Sequence, residues 1–151
     1  MELTTNERAF LSMIAISEGT STIKGSDNGY NVIVGGTLFD GYSDHPRKLV
    51  KLNKNLASTA AGRYQLLSRY FDHYKKQLNL PDFSPASQDA IAMQQIRECR
   101  ALGAINTGDI EKAVRLCSRI WASLPGNEYG QRQVPMEALK LAYLDAGGTI
   151  A

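Results

Sequence analysis

The residue pattern of the chain changes twice along its length, and these changes limit the folds open to it. Up to Gly19 the apolar residues recur at helical spacing. The segment 30–59 combines β-branched residues, a glycine pair and short polar–apolar alternation, which is typical of hairpins. From Gln65 onward helical spacing returns. We therefore expect an α+β fold, mainly helical, with a small β-hairpin region segregated from the helices. A cleft between such regions is a common place for a long substrate.

The first helix has well-defined predicted boundaries. Thr4 and Glu7 have the spacing of a capping box, in which each side chain bonds the backbone N–H of the other residue. Apolar residues such as Ile14 then follow at helical intervals. Gly19 can adopt the left-handed conformation that ends many helices. The sequence therefore predicts a helix that ends at Glu18.

The remaining elements are predicted from local turn and capping signals. Two hairpins are expected, one around the glycine pair in 30–39 and a weaker one around Asn53 in 49–59. The further helices are expected at Gln65–Leu78, from Pro85 (capped by Ser84) to about Leu102, from Thr107-Gly108-Asp109 towards Trp121, and from Pro135 to Gly147-Gly148.

Composition and charge exclude several classes of protein. The chain has 151 residues, which suits one compact domain. Its net charge of +2, from 17 basic and 15 acidic residues, is too balanced to indicate nucleic-acid binding. No apolar run reaches the roughly 18 residues of a transmembrane helix, and the N-terminus lacks the layout of a secretory signal. We therefore expect synthesis in a cytoplasm, with no stable membrane association.

The two cysteines are not predicted to form a functional site. Cys99 and Cys117 each lie within a helical pattern, without a CxxC motif or a neighbouring histidine. Both are expected to be reduced, mostly buried core residues. Nothing in the sequence indicates a metal ion or a cofactor.

Glu18 is the principal candidate for chemistry. The C-terminal end of a helix carries partial negative charge, which disfavours an ionised carboxylate there. If apolar neighbours such as Ile14 and Ile16 also remove water, the pKa of Glu18 should rise. A carboxyl group that is still protonated near neutral pH can act as a general acid. The alternative is a solvated glutamate in the last turn, which costs at most a few tenths of a kcal/mol.

Aromatic and amide side chains in two other segments are typical of sugar recognition. Rings stack on the C–H faces of sugars, and amides pair with hydroxyl and N-acetyl groups. The segments are 60–70 and the Pro/Gly-rich 124–133. Taken singly, each motif favours a structural role: Tyr64 in the core, Gln65 on a helix surface and 124–133 as an ordinary turn. Ser17 and Thr20 flank Glu18 and either bond the acid or substrate or cap the helix end. The candidate substrate-binding residues are Tyr64, Gln65, Tyr129, Gln131, Tyr42, Ser17 and Thr20.

Other titratable residues are weaker candidates. Asp27, Asp40 and Asp44 lie in the β region and are possible partners of Glu18 in a two-carboxylate mechanism. Asp44 is expected instead to hold its loop through backbone amides or Arg47. The histidines and the single tryptophan are expected to be structural: His45, His73 and Trp121.

Taken together, long segments of the chain resemble one known family. They include "NERAFLSMIAISEGT", "YNVIVGGTLFDGYSDHPRKLV", "STAAGRYQLLSRYFDHYKKQL", "DFSPASQDAIAMQQI", "IWASLPGNEYGQ" and "DAGGT". In the same order, and over nearly the whole chain, these are similar to the endolysins of bacteriophage lambda and its prophage relatives. That family is often called lambda lysozyme, although its members are lytic transglycosylases. Asn31 is a departure, because the family carries an aspartate after this Gly-Tyr.

The resemblance implies a fold, a reaction and a site. It implies a single lysozyme-like domain over 1–151 that cleaves the β-1,4 bond between N-acetylmuramic acid and N-acetylglucosamine in peptidoglycan. Glu18 would be the single catalytic residue, and the segments 49–59 and 124–136 would border the substrate groove. The resemblance also implies a monomer that stays in the host cytoplasm until a separate holin-type membrane protein releases it to the wall. The alternatives are a hydrolytic muramidase, with an aspartate activating water, and a non-catalytic peptidoglycan-binding module.

Overall fold

The computed structural model describes residues 2–151 and confirms the α+β class. Within this range the chain forms six helices and one two-stranded antiparallel sheet. None of the helices described in 2–151 has the length and apolar character needed to cross a membrane. The elements are α1 Thr5–Glu18, β1 Val50–Asn53, β2 Leu56–Ser58, α2 Ser68–Gln77, α3 Pro85–Glu98, α4 Leu102–Asn106, α5 Ile110–Cys117 and α6 Met136–Asp145.

The chain divides into two compact units. One unit comprises Gly19–Ile91, and the other combines the residues up to Glu18 with Ala92–Ala151. Helix α3 passes from the first unit into the second along its own length.

Helix α1 begins and ends as the sequence predicts. The Thr4 N–H donates to Glu7 Oε1 at 3.1 Å, and the Glu7 N–H donates to Thr4 Oγ1 at 3.1 Å, which completes the capping box. Gly19 ends the helix with a φ of +75°. The helix packs against α6 and α4. Phe10 and Ile14 are fully buried, so the core of this unit fixes the rotation of α1 and hence the position of its last residue.

The two predicted hairpins differ in outcome. The hairpin at 49–59 is confirmed as β1 and β2, which pair antiparallel. The chain reversal at 30–39 is also confirmed, but it contains only the single bridge Val32–Leu38 among the residues described. Within the reversal the Ile33 N–H donates to Thr37 O and the Phe39 N–H to Asn31 O. Other bonds join it to the segment after β2: the Val34 N–H donates to Ala60 O and the Gly62 N–H to Val32 O.

The unit Gly19–Ile91 has its own apolar core. The core residues are Ala61, Leu66, Phe71, Tyr74, Phe83 and Ile91. His45 is buried against this core, with its Nε2 2.8 Å from Leu66 O and its ring centroid 4.9 Å from that of Phe83. Burial lowers the pKa of His45. The predicted structural role of this histidine is therefore confirmed.

Helix α2 begins later than predicted. The sequence predicts a start at Gln65, whereas the structure places it at Ser68. Gln65 has a φ of +54°, which is incompatible with a helix. Backbone bonds in both directions between Ala61 and Leu66 close a tight loop there. Tyr64 and Gln65 are therefore loop residues.

The later helices confirm the predicted starts more closely than the predicted ends. Ser84 Oγ accepts from the Ser87 N–H at 3.3 Å before α3, and Asp109 accepts from the Lys112 N–H at 3.4 Å before α5. Helix α3 ends at Glu98 rather than near Leu102, and Arg100 has a φ of +59°. The short helix α4 follows and was not predicted. The structure ends α5 at Cys117, earlier than predicted. Helix α6 ends at Asp145, and Gly147, with a φ of +99°, terminates it as predicted.

Candidate active site

Glu18 lies at the end of α1 with a half-buried side chain. Burial raises the pKa of its carboxyl group, and this effect exceeds the opposing effects of a hydrogen bond from Ser123 and the charge of Arg132. Of the two apolar neighbours expected to shield it, Ile14 is buried but Ile16 is 44% exposed. The raised pKa favours the protonated carboxyl group that a general acid requires.

A pair of serines supports the carboxyl group. Ser123 donates its hydroxyl hydrogen to Glu18 Oε2 at 2.5 Å, and Ser17 Oγ lies 2.7 Å from Ser123 Oγ. Because the single hydrogen of Ser123 goes to Glu18, Ser17 must donate to Ser123. Both serines are buried, so water does not compete freely for these bonds. The result is a hydrogen-bonded chain that runs from Ser17 through Ser123 to Glu18.

Arg132 adds a positive charge beside the same helix end. Its Nη2 donates to the carbonyl oxygen of Ser17 at 3.1 Å, where a cation is favoured by the helix dipole. The charge lowers the pKa of Glu18 but does not cancel the effect of burial. Arg132 therefore ties the segment that follows α5 to the residue before the acid.

The backbone around Ser123 is fixed by one amide side chain. Asn127 Nδ2 lies within hydrogen-bond distance of three carbonyl oxygens: Ser118 at 3.0 Å, Ala122 at 3.3 Å and Leu124 at 2.9 Å. In addition, the Val134 N–H donates to Ser123 O at 2.7 Å. Ser123 is thus held on both sides. Trp121, close by in sequence, is buried as predicted.

Sequence reasoning missed Ser123 and Arg132. Ser123 is 105 positions from Glu18, and no local spacing relates the two. The available sequence signal was the segment "LPGNEYGQRQ", which is predicted to take part in sugar binding. This segment contains Arg132 and begins directly after Ser123.

The structure places Tyr129 and Gln131 on the surface of the unit that contains Glu18. Tyr129 is 56% exposed, and Gln131 is also exposed. The Tyr129 hydroxyl donates to Arg119 O at 3.1 Å. Both remain predicted sugar-binding residues.

Tyr64 and Thr20 lie in the other unit and are engaged by the protein itself. Tyr64 is 5% exposed, and its hydroxyl donates to Asp89 Oδ1 at 2.7 Å and accepts from Arg63 Nη1 at 2.9 Å. Burial, followed by the charge of Asp89, raises the pKa of Tyr64. Thr20 is buried and donates to Arg63 O at 2.6 Å. Tyr30 also donates to Asp89, at 2.9 Å, so these residues form one network.

Gln65 and Tyr42 also make hydrogen bonds within the protein, but both residues are less buried than Tyr64. Gln65 Nε2 donates to Gly62 O at 2.9 Å and Val32 O at 3.2 Å, while its side chain is half-buried. The Tyr42 hydroxyl donates to Asp27 Oδ2 at 2.7 Å, and burial with this bond raises the pKa of Tyr42.

Two aspartates of the β region, Asp27 and Asp44, have identifiable structural partners, and Asp27 accepts from the Tyr42 hydroxyl as described above. Asp44 pairs with Arg47 at 2.9 Å, which confirms its predicted role in holding the loop, and Arg47 also pairs with Asp72 at 2.6 Å. Asn31, the departure from the family pattern, accepts the Asp27 N–H through Oδ1 at 2.8 Å. A carboxylate oxygen at this position could accept the same bond.

Comparison with known proteins places the chain in a family. The family model described as Endolysin matches residues 8–150. The endolysin of Escherichia phage lambda is 57% identical over 152 residues, covering 99% of this chain and 96% of that protein. The endolysin of Escherichia phage P2 is 49% identical over 157 residues, covering 97% and 95% of the two chains.

Solved structures agree with the family match. The structure of bacteriophage lambda lysozyme complexed with a chitohexasaccharide is similar at a TM-score of 0.97 and 56% identity, over 100% of this chain and 99% of that one. A second lysozyme structure from bacteriophage lambda gives a TM-score of 0.93 at 56% identity, with the same coverage. The predicted lysozyme-like fold is therefore confirmed, and the chain belongs to the endolysin family.

Proposed function

We propose that this endolysin is a peptidoglycan lytic transglycosylase in which Glu18 is the only catalytic carboxyl group. The substrate bond is the β-1,4 linkage between N-acetylmuramic acid and N-acetylglucosamine. The observation that supports this most directly is the environment of Glu18: burial raises the pKa of its carboxyl group while Ser123 holds Oε2 at 2.5 Å. Such a group is protonated when the reaction begins and is still stabilised when it ionises.

The reaction needs Glu18 first as an acid and then as a base. Protonated Glu18 donates its hydrogen to the glycosidic oxygen as the bond to C1 of the muramic acid breaks, and N-acetylglucosamine leaves as an alcohol. The ionised Glu18 then takes the proton of the C6 hydroxyl of the same muramic acid. That oxygen attacks C1 and closes a 1,6-anhydro ring, so water is not consumed. Intramolecular attack of this kind has an effective concentration on the order of 10⁵ M or more when well oriented.

The serine pair suits both protonation states of Glu18. With Glu18 ionised, Ser17 donates to Ser123 and Ser123 donates to Oε2. With Glu18 protonated on Oε1, Oε2 still accepts from Ser123, so the acidic hydrogen stays available for the glycosidic oxygen. The pair therefore supports the ionised form without preventing protonation, as a residue that alternates between acid and base requires.

Glycan strands are the proposed ligand. The related lambda lysozyme structure holds a chitohexasaccharide, and we infer that this chain also binds β-1,4-linked N-acetylated amino sugars. Exposed Tyr129 and Gln131 offer an aromatic face and an amide for this purpose. Gln65 and Tyr42 are the further proposed contacts. For Ser17, Thr20 and Tyr64, whose polar atoms are bonded within the protein, we propose a positioning role.

The experiment that tests this proposal is product analysis in water enriched in oxygen-18. Purified peptidoglycan is digested, and the muropeptides are examined by mass spectrometry. We expect anhydro-muropeptides without heavy oxygen and no new reducing ends. Reducing ends that carry heavy oxygen would instead establish the alternative, a hydrolytic muramidase in which a second group activates water.

The route to the substrate is proposed from the family. We infer a monomer that accumulates inside the host and reaches the wall after a separate holin-type membrane protein permeabilises the inner membrane. Expression alone should leave cells intact, and permeabilising the membrane should clear them rapidly. Clearing at the same rate without permeabilisation would contradict this route.

A further inference from the structure

A surface hollow of about 840 Å³ lies beside the end of α5, in the unit that contains Glu18. Among the residues described, the charged ones that line it are Arg100, Arg115, Arg119, Glu98 and Glu128. The wall therefore carries both signs of charge, with an excess of positive charge. Cys99 also forms part of the wall, and both it and Cys117 are free and buried, as predicted.

Contacts within the protein hold the hollow open. Gly126 and Asn127 line it on the side of the loop that follows α5. The backbone of Gly126 passes so close to α5 that a Cβ there would lie 3.3 Å from Arg115 Cα. Asn127 Nδ2 donates to Ser118 O at 3.0 Å. Because the hollow is preformed in this way, ordering it costs a ligand little binding free energy.

Two of the arginines have donors to offer a ligand. Arg119 Nη2 donates to Glu98 O at 2.7 Å, which fixes this guanidinium near the wall. The side chain of Arg115 is 63% exposed, and its Nη2 lies 3.7 Å from Glu111 Oε1, too far for a hydrogen bond. A guanidinium has five N–H donors, and pairs of them match the two oxygens of a carboxylate. The hollow therefore suits a ligand with several carboxylates.

A short segment joins the hollow to the surroundings of Glu18. Tyr129 lines the hollow, and its hydroxyl donates to Arg119 O at 3.1 Å. Three residues further along the chain, Arg132 donates to Ser17 O, directly before the acid. Because each residue spans at most about 3.6 Å, the Cα atoms of Tyr129 and Arg132 lie within roughly 11 Å of each other. The hollow is therefore close enough to the acid to bind a side branch of a substrate.

We propose that this hollow binds the anionic stem peptide of peptidoglycan, so that the chain recognises peptide as well as glycan. The inference rests on the proposed function, which makes peptidoglycan the substrate. The stem peptide is joined to the muramic acid, the sugar whose C1 bond is broken at Glu18, and it has more carboxylates than ammonium groups. Four extended residues span up to roughly 14 Å, comparable with the separation of Tyr129 and Arg132. The arginines bind the carboxylates, and Glu98 and Glu128 face the ammonium group of a diamino acid.

Binding of a free peptide tests the site without relying on catalysis. The probe is the tetrapeptide L-alanyl-D-glutamyl-diaminopimelyl-D-alanine, and its binding is followed through the backbone amide signals of the full chain in NMR spectra. We expect the signals of Gly126, Asn127 and Tyr129 to shift at millimolar peptide. Amidating the carboxylates of the peptide should weaken binding about tenfold or more, because charge-assisted hydrogen bonds are lost. Unchanged signals at these residues, or equal binding of the amidated peptide, would overturn the proposal.

Two charge variants on the same helix test the role of the arginines. Arg115→Gln removes an exposed guanidinium from the wall, whereas Lys112→Gln removes one charge of α5 that lies outside the hollow. On strands that carry stem peptides, Arg115→Gln should raise KM severalfold with a smaller effect on kcat, and Lys112→Gln should behave as wild type. Glycan strands stripped of their peptides by an amidase are the comparison. On these strands the KM of Arg115→Gln should rise much less.

The outcomes distinguish the peptide site from the proposed reaction. An equal rise in KM on both kinds of strand, or an equal effect of Lys112→Gln, would overturn the peptide site and leave the reaction at Glu18 untouched. Reducing ends that carry heavy oxygen would overturn the reaction, but the ratio of the two KM values would still measure recognition of the peptide. The NMR titration depends on neither result.

Discussion

The Ser123 hydroxyl lies 2.5 Å from Glu18 Oε2, although 105 positions separate the two residues in the chain. Glu18 ends a helix, and Ser123 lies in a loop held by Asn127. The bond stabilises the ionised form of Glu18 and so opposes the effect of burial on its pKa. The acidity of Glu18 therefore depends on how accurately this loop is placed.

Removing the donor should change the pH dependence of the reaction. In Ser123→Ala the pKa of Glu18 should rise further, because its ionised form loses a hydrogen bond. The protonated acid would persist to higher pH, so the alkaline limb of kcat/KM should move up by about one pH unit. Ser17→Ala keeps the direct donor and should shift the limb less. An unchanged limb in Ser123→Ala would mean that this bond does not set the acidity.

Removing the charge of Arg132 should shift the pH dependence in the same direction as removing the Ser123 hydroxyl. Arg132→Gln removes a cation that lowers the pKa of Glu18, so the alkaline limb should again move to higher pH. Arg132→Lys retains the charge and should stay close to the wild-type profile. Added salt should reduce the difference between the two variants, because screening weakens the interaction. Equal shifts for Gln and Lys would assign the effect to the bond with Ser17 O instead.

Glu18→Gln separates catalysis from binding. The amide can still accept from Ser123 but cannot donate a proton as an acid does, so activity should fall by roughly 10³-fold or more. Clearing of permeabilised cells measures the loss, and sedimentation with purified cell walls measures the binding that should remain. Continued clearing by this variant would exclude Glu18 as the acid. Unchanged clearing together with intact binding would mean that another group supplies the proton.

Acid should weaken the contact between Arg47 and its two aspartates. The guanidinium of Arg47 lowers the pKa of both Asp44 and Asp72 below the ordinary value. Their contribution to stability is therefore present above the unfolded-state pKa of about 3.9 and is lost as pH falls through the lowered folded-state values. Arg47→Gln should lower the Tm at pH 7, and the difference from wild type should vanish in strong acid. Lys48→Gln is the control for net charge, and an equal loss in it would contradict a specific pairing.

Gly62 should tolerate no side chain. Its φ is +86°, and a Cβ there would lie 2.8 Å from Phe83 Cζ. Gly62→Ala should cost about 2 kcal/mol or more in unfolding free energy, measured by denaturant titration. Gly103→Ala is the matched control, because no atom lies within 4 Å of its Cβ and its φ is ordinary. That variant should be neutral or stabilised by about 0.5–1 kcal/mol, and a similar cost for both would refute the steric explanation.

Features encoded over a few residues could be predicted from the sequence. The capping box of Thr4 and Glu7, the left-handed Gly19 and the cap at Ser84 each depend on neighbours within one helical turn. The end of α1 was therefore predicted correctly, and with it the position of Glu18. The resemblance to a family supplied the reaction, which local patterns could not.

Features that depend on distant partners could not be predicted. Helix propensity favoured a start at Gln65, but the left-handed backbone there is imposed by bonds between Ala61 and Leu66. The position of Ser123 beside Glu18 depends on a contact between segments far apart in the chain. Single-sequence periodicity carries no information about such contacts.

The raised pKa of Glu18 has a consequence for engineering this protein. The unfolded chain gives up the Glu18 proton near pH 4.3, whereas the folded chain holds it to higher pH, so each step towards neutrality removes folding free energy. Replacing this acid by a neutral residue should therefore make the enzyme more heat-resistant while abolishing its action on cell walls. A screen for thermal tolerance alone would select against the active site, and only a screen that also demands lysis would retain it.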